Sequence, residues 1–213
     1  MQELERFEDR LDRLESIEAI RQLAARYAVA VDMRDMDAIV NLYLPDVSLG
    51  SGVRGRQALK AVFDHVLRSF RASVHDVGTH VIEFTDRDNA QGILYCRCEH
   101  EIAGKWVPVQ LYYLDFYRRE GGQWYIRRRV PSELYGADAL ERPQPGRVRW
   151  PDSPDRPGHW HKHFPSWAEF WEDTEGGTAP VRPAAPEGGF IDGLRRGDRR
   201  LFPIDFNFAK AGR

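Results

Sequence analysis

The feature that most constrains this chain of 213 residues is the apolar helix that its sequence predicts at residues 17–33. Apolar residues recur there with a helical period, and only Arg26 interrupts the apolar run that precedes Asp32. A helix that is apolar on nearly every side is surrounded by other elements of the fold. The sequence therefore predicts a domain that wraps around this helix and buries the end that carries Tyr27 and Asp32.

Asp32 occupies the last turn of that helix, where a carboxylate lies against the negative end of the helix dipole. Because this placement costs free energy, we expect Asp32 to have a partner in another element. The alternative is that the carboxylate simply ends the helix in solvent.

Other helices are expected on both sides of this one. The helical pattern continues back through residues 2–14, with Phe7, Leu11 and Leu14 on one stripe. Asp35 is a candidate N-cap for a second helix. Further elements are predicted as a helix at 36–44, a short strand at 47–49 and a third helix from 56 to about 70.

The hydrophobic period then changes to two. Four strand-like segments follow, at residues 73–84, 90–102, 106–118 and 123–130. Their links are short and either polar or glycine-rich, which is typical of antiparallel hairpins. Helices followed by such a meander indicate an α+β fold rather than alternating α/β.

The composition changes after residue 140, and ten of the thirteen prolines lie beyond that point. A capping box at Ser166 and Glu169 predicts one short helix at 166–172 within this region. The region also contains large aromatic side chains, among them Trp150, Trp160, Trp167, Phe170 and Trp171. Since disordered segments lack such residues, we expect a domain at 1–140 and a C-terminal extension at 141–213 that docks on it or on a neighbouring subunit.

Composition excludes several classes of partner. The net charge of −2 provides no field that would attract nucleic acid or an anionic membrane. No apolar run approaches 18 residues and the N-terminus is polar, so neither a membrane span nor a signal peptide is expected. Cys96 and Cys98 are interpreted as reduced, partly buried thiols of a cytoplasmic protein.

Two motifs have a simpler interpretation than the one their letters suggest. Residues 50–55 spell GxGxxG, but a dinucleotide site needs a longer strand before it and a βαβ unit around it. We interpret this motif as a turn entering the third helix and expect no cofactor.

His159, His161 and His163 would share one side of an extended segment, as metal ligands do, yet no cysteine or carboxylate lies nearby at ligand spacing. We expect no metal there.

His75 and His100 are the stronger chemical candidates. By the period of two, His75 shares a strand face with Val77, Thr79 and Val81, and His100 shares one with Leu94, Cys96, Cys98 and Ile102. A single histidine in such a setting is more often a core residue bonded to a carbonyl. Two of them together with Asp32 favour a proton-transfer site. His80 falls on the opposite face and is interpreted as structural.

The third long strand and the fourth supply further polar residues. Tyr113 and Asp115 share one face of their strand, whereas Tyr112 falls on the other. The run of three arginines at 127–129 alternates between faces, so at most two of them can enter an interior.

The assembled pattern resembles a SnoaL-like domain of the NTF2-like superfamily, the cystatin-like α+β cone. The resemblance rests on Tyr27 and Asp32 at the helix end, the helix-loop-helix sequence DMRDMD at 32–37, and Ser73-Val74-His75 followed by Gly78. It covers about residues 10–135. It implies N-terminal helices packed in a curved, mostly antiparallel sheet, here with a proline-rich C-terminal extension.

Within that superfamily the chain is similar to scytalone dehydratase and to hexachlorocyclohexane dehydrochlorinase. The resemblance implies that Asp32 pairs with His75 and that His100 matches the dehydratase's second histidine. Substrate contacts differ, because Val31 stands where the dehydratase has a tyrosine and Ser51 lies near its second pocket tyrosine. Leu111 and Tyr113 lie near its serine and asparagine.

The expected function is a cofactor-independent lyase in the metabolism of aromatic compounds. It would eliminate water, halide or formaldehyde from a hydrophobic, aromatic small molecule, with His75 as base and Asp32 orienting it. Tyr27, His100 and Tyr113 would donate hydrogen bonds. The expected substrate-binding residues are Tyr113, Leu111, Ser51 and Cys98.

Two other functions stay open. One is an isomerase or cyclase acting on a polyketide- or steroid-like substrate. The other is a non-catalytic ligand-binding module or the small subunit of a ring-hydroxylating dioxygenase. We also expect a homo-oligomer, a dimer or trimer, because Tyr112, Phe116 and Tyr125 would otherwise form an apolar patch on the outer sheet. The aromatic extension is expected to close the open end of the cone.

Overall fold

The computed structural model describes residues 2–50, 52–142, 147–150, 154, 156–157 and 190–191, without the side chains of residues 2, 3, 156 and 157. Its first element, α1, is a single helix at Gln2–Asp32 that joins both helical stretches expected from the sequence. From Ser16 onward one side of α1 is buried in the core. The predicted stripe of Phe7, Leu11 and Leu14 is present but exposed.

The second and third helices close one side of the cone. Helix α2 spans Met36–Asn41, and the Asp35 carboxylate accepts a hydrogen bond from the backbone N–H of Ala38 at 2.9 Å. The helix is shorter than predicted because the chain leaves it to form a parallel bridge between Tyr43 and Ile126. Helix α3 spans Arg56–Leu67.

Two short strands pair around the GxGxxG segment ahead of the third helix. Strands β1 (Ser48–Gly50) and β2 (Val53–Arg54) pair antiparallel, and Gly55, at φ 94°, leads directly into α3. That backbone conformation favours glycine. The segment therefore enters the third helix as the sequence indicated.

The main sheet has six strands, β3 to β8, in sequence order. Four long strands form an antiparallel meander, β3 (Ala72–Phe84), β4 (Asn89–Ile102), β5 (Lys105–Glu120) and β6 (Gln123–Gly136). Two short strands follow, β7 (Arg147–Val148), which is parallel to β6, and β8 (Arg156–Pro157), which is antiparallel to β7. The fold is thus the α+β cone with a mostly antiparallel sheet.

Strand β6 is longer than the sequence predicted, and the expected end at residue 130 was wrong. The strand continues through Pro131, which pairs with Tyr113, and reaches Gly136. A proline cannot donate to a sheet ladder. It is tolerated here because β6 has its second neighbour, β7, only at Gly136.

The sheet has an apolar cluster on each face. The inner face packs around Ile20, Leu23 and Tyr27 of α1. On the outer face Ile191, from the far end of the chain, is fully buried among Ile93, Tyr112, Leu114, Val130 and Leu134. The backbone N–H groups of Phe190 and Ile191 both donate to the Glu83 carboxylate. The expectation that Tyr112 would form an open patch was therefore wrong, because the chain covers that residue itself.

Among the described residues, no helix is both long enough and apolar enough to cross a membrane.

Candidate active site

The end of α1 meets the start of β3 at Asp32 and His75. Oδ1 of Asp32 lies 2.7 Å from Nδ1 of His75, and Oδ2 accepts the backbone N–H of the same residue at 2.8 Å. The side chain of His75 is 7% exposed and that of Asp32 is 25% exposed. Asp32 thus has the partner that its place at the helix end requires.

The surroundings of Asp32 keep it ionised. Burial alone would raise the pKa of its carboxyl group. Hydrogen bonds from the His75 side chain and backbone, and from Ser73, outweigh burial and lower that pKa below its usual value. An ionised Asp32 accepts the Nδ1 proton of His75, which leaves Nε2 of His75 as the basic atom.

His100 lies beside this pair on β4. Its ring centroid is 5.9 Å from that of His75, 4.4 Å from that of Phe70 and 5.2 Å from that of Trp150. Burial, together with the neighbouring His75, lowers the pKa of His100 to about 4, so its ring is neutral at pH 7. Its Nδ1 atom is buried and has no hydrogen-bond partner within the described part of the chain.

Two tyrosines line the interior beneath the histidines. The ring of Tyr27 lies 6.2 Å from that of His75 and 5.9 Å from that of Tyr113. Burial raises the pKa of Tyr27 to about 12 and that of Tyr113 well above its ordinary value. Both hydroxyl groups therefore keep their protons at neutral pH and can donate.

The deepest part of the interior holds an ion pair that the sequence only partly revealed. Arg129 donates to both carboxylate oxygens of Asp115, at 2.8 and 2.6 Å, and the two side chains are 4% and 0% exposed. The guanidinium carbon of Arg129 lies 4.2 Å from the ring centroid of Tyr27 and 4.3 Å from that of Tyr113. Its Nη1 atom is buried without a partner among the described residues.

The alternation of the three arginines showed that one or two could enter the interior, but not which. A signal was nevertheless present in the sequence. Asp115 falls on the same strand face as Tyr113, so a buried cation was needed to pair with it. The structure assigns that place to Arg129.

His80 also belongs to the inner side, and the prediction that it lies on the face opposite His75 was wrong. The pairing of β3 with β4 shifts between Val77 and His80, so the residues that face the core change from Val77 to Ile82 and Phe84. Such an irregularity cannot be read from a period of two.

His80 is linked to the buried ion pair through Tyr117. The Tyr117 hydroxyl donates to Oδ2 of Asp115 at 2.7 Å, so it accepts a hydrogen bond from Nε2 of His80 at 3.0 Å. Burial lowers the pKa of His80 to about 4, so this ring is also neutral at pH 7. The network connects β3, β5 and β6 beneath the candidate site.

The remaining predicted substrate-binding residues are Cys98, Leu111 and Ser51. Cys98 is buried opposite His75 in the strand register, and Leu111 is buried opposite Cys96. The two thiols are free, with their sulfur atoms 3.5 Å apart. Ser51 and the three histidines at 159, 161 and 163 lie outside the described residues.

Comparison with solved structures shows the same fold. A candidate scytalone dehydratase from Novosphingobium aromaticivorans is 21% identical with a TM-score of 0.53, and covers 63% of this chain and 94% of its own. A hexachlorocyclohexane dehydrochlorinase, LinA-type3 from Novosphingobium barchaimii, is 23% identical with a TM-score of 0.56, covering 62% and 95%. An NTF2-like protein with a cystatin-like fold from N. aromaticivorans is 25% identical with a TM-score of 0.52, covering 63% and 92%.

No curated protein sequence matches the chain. The model of the SnoaL-like domain family, however, matches residues 12–130, more than half of the chain and all of the region that holds Asp32, His75, His100 and Arg129. The resemblance identified from the sequence is therefore confirmed, and this protein belongs to the SnoaL-like domain family within the NTF2-like fold.

Proposed function

We propose that this protein is a cofactor-independent lyase that removes water, halide or formaldehyde from a hydrophobic, aromatic small molecule. The observation that carries this proposal is the contact of 2.7 Å between Asp32 and His75. A buried carboxylate on one imidazole nitrogen leaves the other nitrogen free to act as a general base. A ligand-binding module without chemistry does not need such a pair.

The elimination follows from the roles of these residues. In loss of water or halide, Nε2 of His75 takes a proton from the carbon adjacent to the one that bears the leaving group, and the electrons of that C–H bond form the new double bond. In loss of formaldehyde, Nε2 instead takes the proton of the hydroxymethyl O–H, whose electrons form the C=O of formaldehyde, and the electrons of the broken C–C bond stay on the substrate carbon, which regains a proton from the imidazolium. Asp32 stabilises the imidazolium that results. The leaving group departs with the electrons of its own bond, and a hydroxide leaves as water after it gains a proton. Tyr27, Tyr113 and His100 surround this reaction with polar groups in an interior of low dielectric constant.

The walls of the candidate site support an aromatic substrate. Phe63 contacts Tyr27 edge to face, and Phe70 and Trp150 flank His100. Aromatic side chains pack well against flat apolar ligands. Cys98, Leu111 and Tyr113, with Ser51, would complete the substrate-binding surface.

A second candidate reaction is favoured by Arg129. A buried cation against the rings of Tyr27 and Tyr113 is well suited to stabilise a negative charge that develops on a substrate oxygen. Isomerases and cyclases that act on polyketide- or steroid-like substrates proceed through such enolate charges. Product identification on a panel of aromatic alcohols, halides and ketones separates the two reactions.

The test of the proposal compares two histidines of the same strand. On a substrate found with that panel, His75→Gln should lower kcat by about 10²–10⁴-fold, the usual contribution of a general base. His80→Gln is the matched control, because His80 is a half-buried histidine of the same strand whose side chain bonds Tyr117 and not Asp32. Near wild-type turnover in His75→Gln would contradict the assignment of His75 as the general base.

We also infer that the C-terminal extension closes the candidate site. Val148 is fully buried and pairs with Gly136, which places Trp150 against His100 and Phe70. Trp150→Ala should therefore raise KM or lower kcat while the protein stays folded. If its kinetics match those of wild type, the extension does not act as a lid.

A homo-oligomer, a dimer or trimer, is proposed on a surface other than the one first expected. Phe7, Leu11 and Leu14, with Leu4, form an exposed apolar stripe on α1. Light scattering should give a multiple of the chain mass of 24.7 kDa, and Leu11→Glu should reduce it. A single-chain mass for the wild type at micromolar concentration would exclude this assembly.

The two free thiols support a cytoplasmic location.

A further inference from the structure

The loop after α1 holds an arginine in a backbone conformation that favours glycine. Arg34 has φ 60°, in the left-handed region. The N–H of Arg34 bonds the carbonyl of Val31 at 3.1 Å and the N–H of Asp35 bonds that of Ala30 at 2.9 Å, which is the Schellman ending of a helix. Glycine or asparagine usually occupies this position. A non-glycine residue stays in such a conformation where the surrounding contacts hold it there.

The side chain of Arg34 points back toward Asp32. Nη1 donates to the Val31 carbonyl and to the Ser73 hydroxyl, both at 2.7 Å, and Nη2 donates to the Phe70 carbonyl at 3.2 Å. The guanidinium therefore ties the end of α1 to the segment that leads into β3. The positive charge of Arg34 lies close enough to His100 to contribute to the lowered pKa of that histidine.

Ser73 transmits this constraint to the carboxylate. A hydroxyl has one proton to donate, and since Ser73 accepts from Arg34 it donates its own proton to Oδ1 of Asp32, at 2.9 Å. Ser73 is 7% exposed, so water has little access to compete for this bond. With the two bonds from His75, the carboxylate is held by three hydrogen bonds and cannot rotate freely.

We propose that Arg34 and Ser73 are positioning residues that fix the Asp32 carboxylate, and through it the tautomer and the orientation of His75. In the structure they touch no reacting group, and their effect passes through Asp32. Its catalytic consequence rests on the proposed function, but the tautomer of His75 does not. The rival explanation is that Arg34 only caps two carbonyl groups and Ser73 only fills space.

Four variants separate these explanations. Ser73→Ala removes the donor to Asp32 and leaves both carbonyl caps in place, whereas Ser73→Thr keeps a hydroxyl on a residue suited to a strand. Arg34→Gly relaxes the backbone and removes the guanidinium, and Arg34→Lys keeps the charge without the planar fork. The matched control is Ala103→Gly, since Ala103 is the other non-glycine residue with a positive φ (51°) among the described residues and lies in the exposed β4–β5 turn.

The first measurement is the tautomer of His75 by nitrogen NMR at a pH where the ring is neutral. The wild type, Ser73→Thr and Ala103→Gly should show a proton on Nδ1. Ser73→Ala and Arg34→Gly should show a population with the proton on Nε2. Circular dichroism verifies folding, and if Arg34→Gly does not fold, the two Ser73 variants decide the outcome alone.

The second measurement is turnover on a substrate of the wild type. Ser73→Ala and Arg34→Gly should lower kcat by about 10–100-fold with little change in KM, as loss of groups behind a ligand or base commonly does. An unchanged tautomer together with kcat within twofold of wild type in Ser73→Ala overturns the positioning role, even if His75 is confirmed as the base. A shifted tautomer without any turnover in the wild type would instead uphold the positioning role and reject the proposed function.

Discussion

Asp32 and Asp115 are both carboxylates that pair with a cationic or titratable side chain inside the cone, yet their exposure and their partners differ. Asp32 is one-quarter exposed, and its partner is the imidazole of His75, a type of side chain that serves as an acid or a base. Asp115 is fully buried, and its partner Arg129 stays charged at any pH that the fold tolerates. The comparison indicates that the first centre can move a proton and the second can only hold a charge in place.

The partners of the two carboxylates explain the difference. Asp115 accepts two hydrogen bonds from Arg129, on the neighbouring strand β6, and one from Tyr117, on its own strand β5, so all three come from side chains. A buried ion pair of this kind adds little net stability over apolar residues of the same size. Removing one partner, however, leaves the other charge buried without a counterion. Asp32 accepts one of its bonds from a backbone N–H and is open to water on one side, so it should tolerate a change better.

The largest expected effect is on stability, and it should fall on Asp115. Asp115→Asn should lower the free energy of unfolding by about 3–5 kcal/mol because it leaves the Arg129 charge buried without a counterion. Asp32→Asn should cost no more than about 1–2 kcal/mol. Denaturant unfolding of both variants measures the contrast.

A double variant provides the control. Asp115→Leu combined with Arg129→Met removes both charges, so it should be more stable than Asp115→Asn. Equal losses in Asp115→Asn and Asp32→Asn would mean that the two centres do not differ as the structure indicates.

The second expected effect is on turnover, and it should fall on Asp32. Asp32→Asn should lower kcat by about 10²–10⁴-fold because an amide cannot stabilise the imidazolium form of His75 as a carboxylate does. Its loss of activity should therefore be large where its loss of stability is small. Steady-state kinetics at a temperature below the unfolding transition tests this, and a variant with wild-type kcat would contradict the role of Asp32.

These contrasts also show what a sequence can reveal. The helix period located Asp32 at the end of a buried helix, and the strand period placed His75 and His100 on inward faces, because both signals extend over many residues. The irregularity in β3 reversed the face of His80, since one unpaired residue changes a period of two without any mark in the sequence. Likewise, the contact of Arg34 with Ser73 joins residues 39 positions apart through a loop geometry that no local pattern encodes.

The third expected effect is a loss of stability in mild acid. Because the pKa of His100 is lowered to about 4 in the folded protein, the unfolded chain binds more protons between about pH 6.5 and 4, so stability falls as pH is lowered through that window. The loss is about 3 kcal/mol for His100, and His80, whose pKa is also lowered to about 4, adds a loss of similar size over the same window. Asp32, whose pKa is lowered, contributes stability above about pH 4 that is lost as pH falls further.

Denaturant unfolding between pH 7 and 4 measures this loss. His100→Leu should flatten the dependence, whereas replacing His65, which is exposed on α3, with glutamine should leave it unchanged. A wild-type stability that stays constant from pH 7 to 4 would show that the buried histidines are not held neutral.

The smallest expected effect tests how rigid the surroundings of the Asp115–Arg129 ion pair are. A Cβ atom on Gly92 would lie 3.0 Å from Cε2 of Tyr117, 3.1 Å from Nε2 of His80 and 3.1 Å from the carbonyl oxygen of Val81. The first two atoms belong to the network that ends on Asp115, and the third is backbone that cannot move easily. Gly92→Ala should therefore destabilise the fold by about 1–3 kcal/mol.

Gly78→Ala is the matched control for this substitution, because its Cβ would meet only the carbonyl oxygen of Tyr95 at an ordinary 3.6 Å. There the reduced freedom of the unfolded chain should make the change neutral or stabilising by about 0.4–1 kcal/mol. If the buried ion pair only supports the site, Gly92→Ala should lower the denaturation midpoint while kcat of the folded protein stays within about twofold, since His75 and Asp32 belong to the other centre. A loss of kcat larger than the loss of folded protein would instead couple the two carboxylate centres and join them into a single catalytic unit.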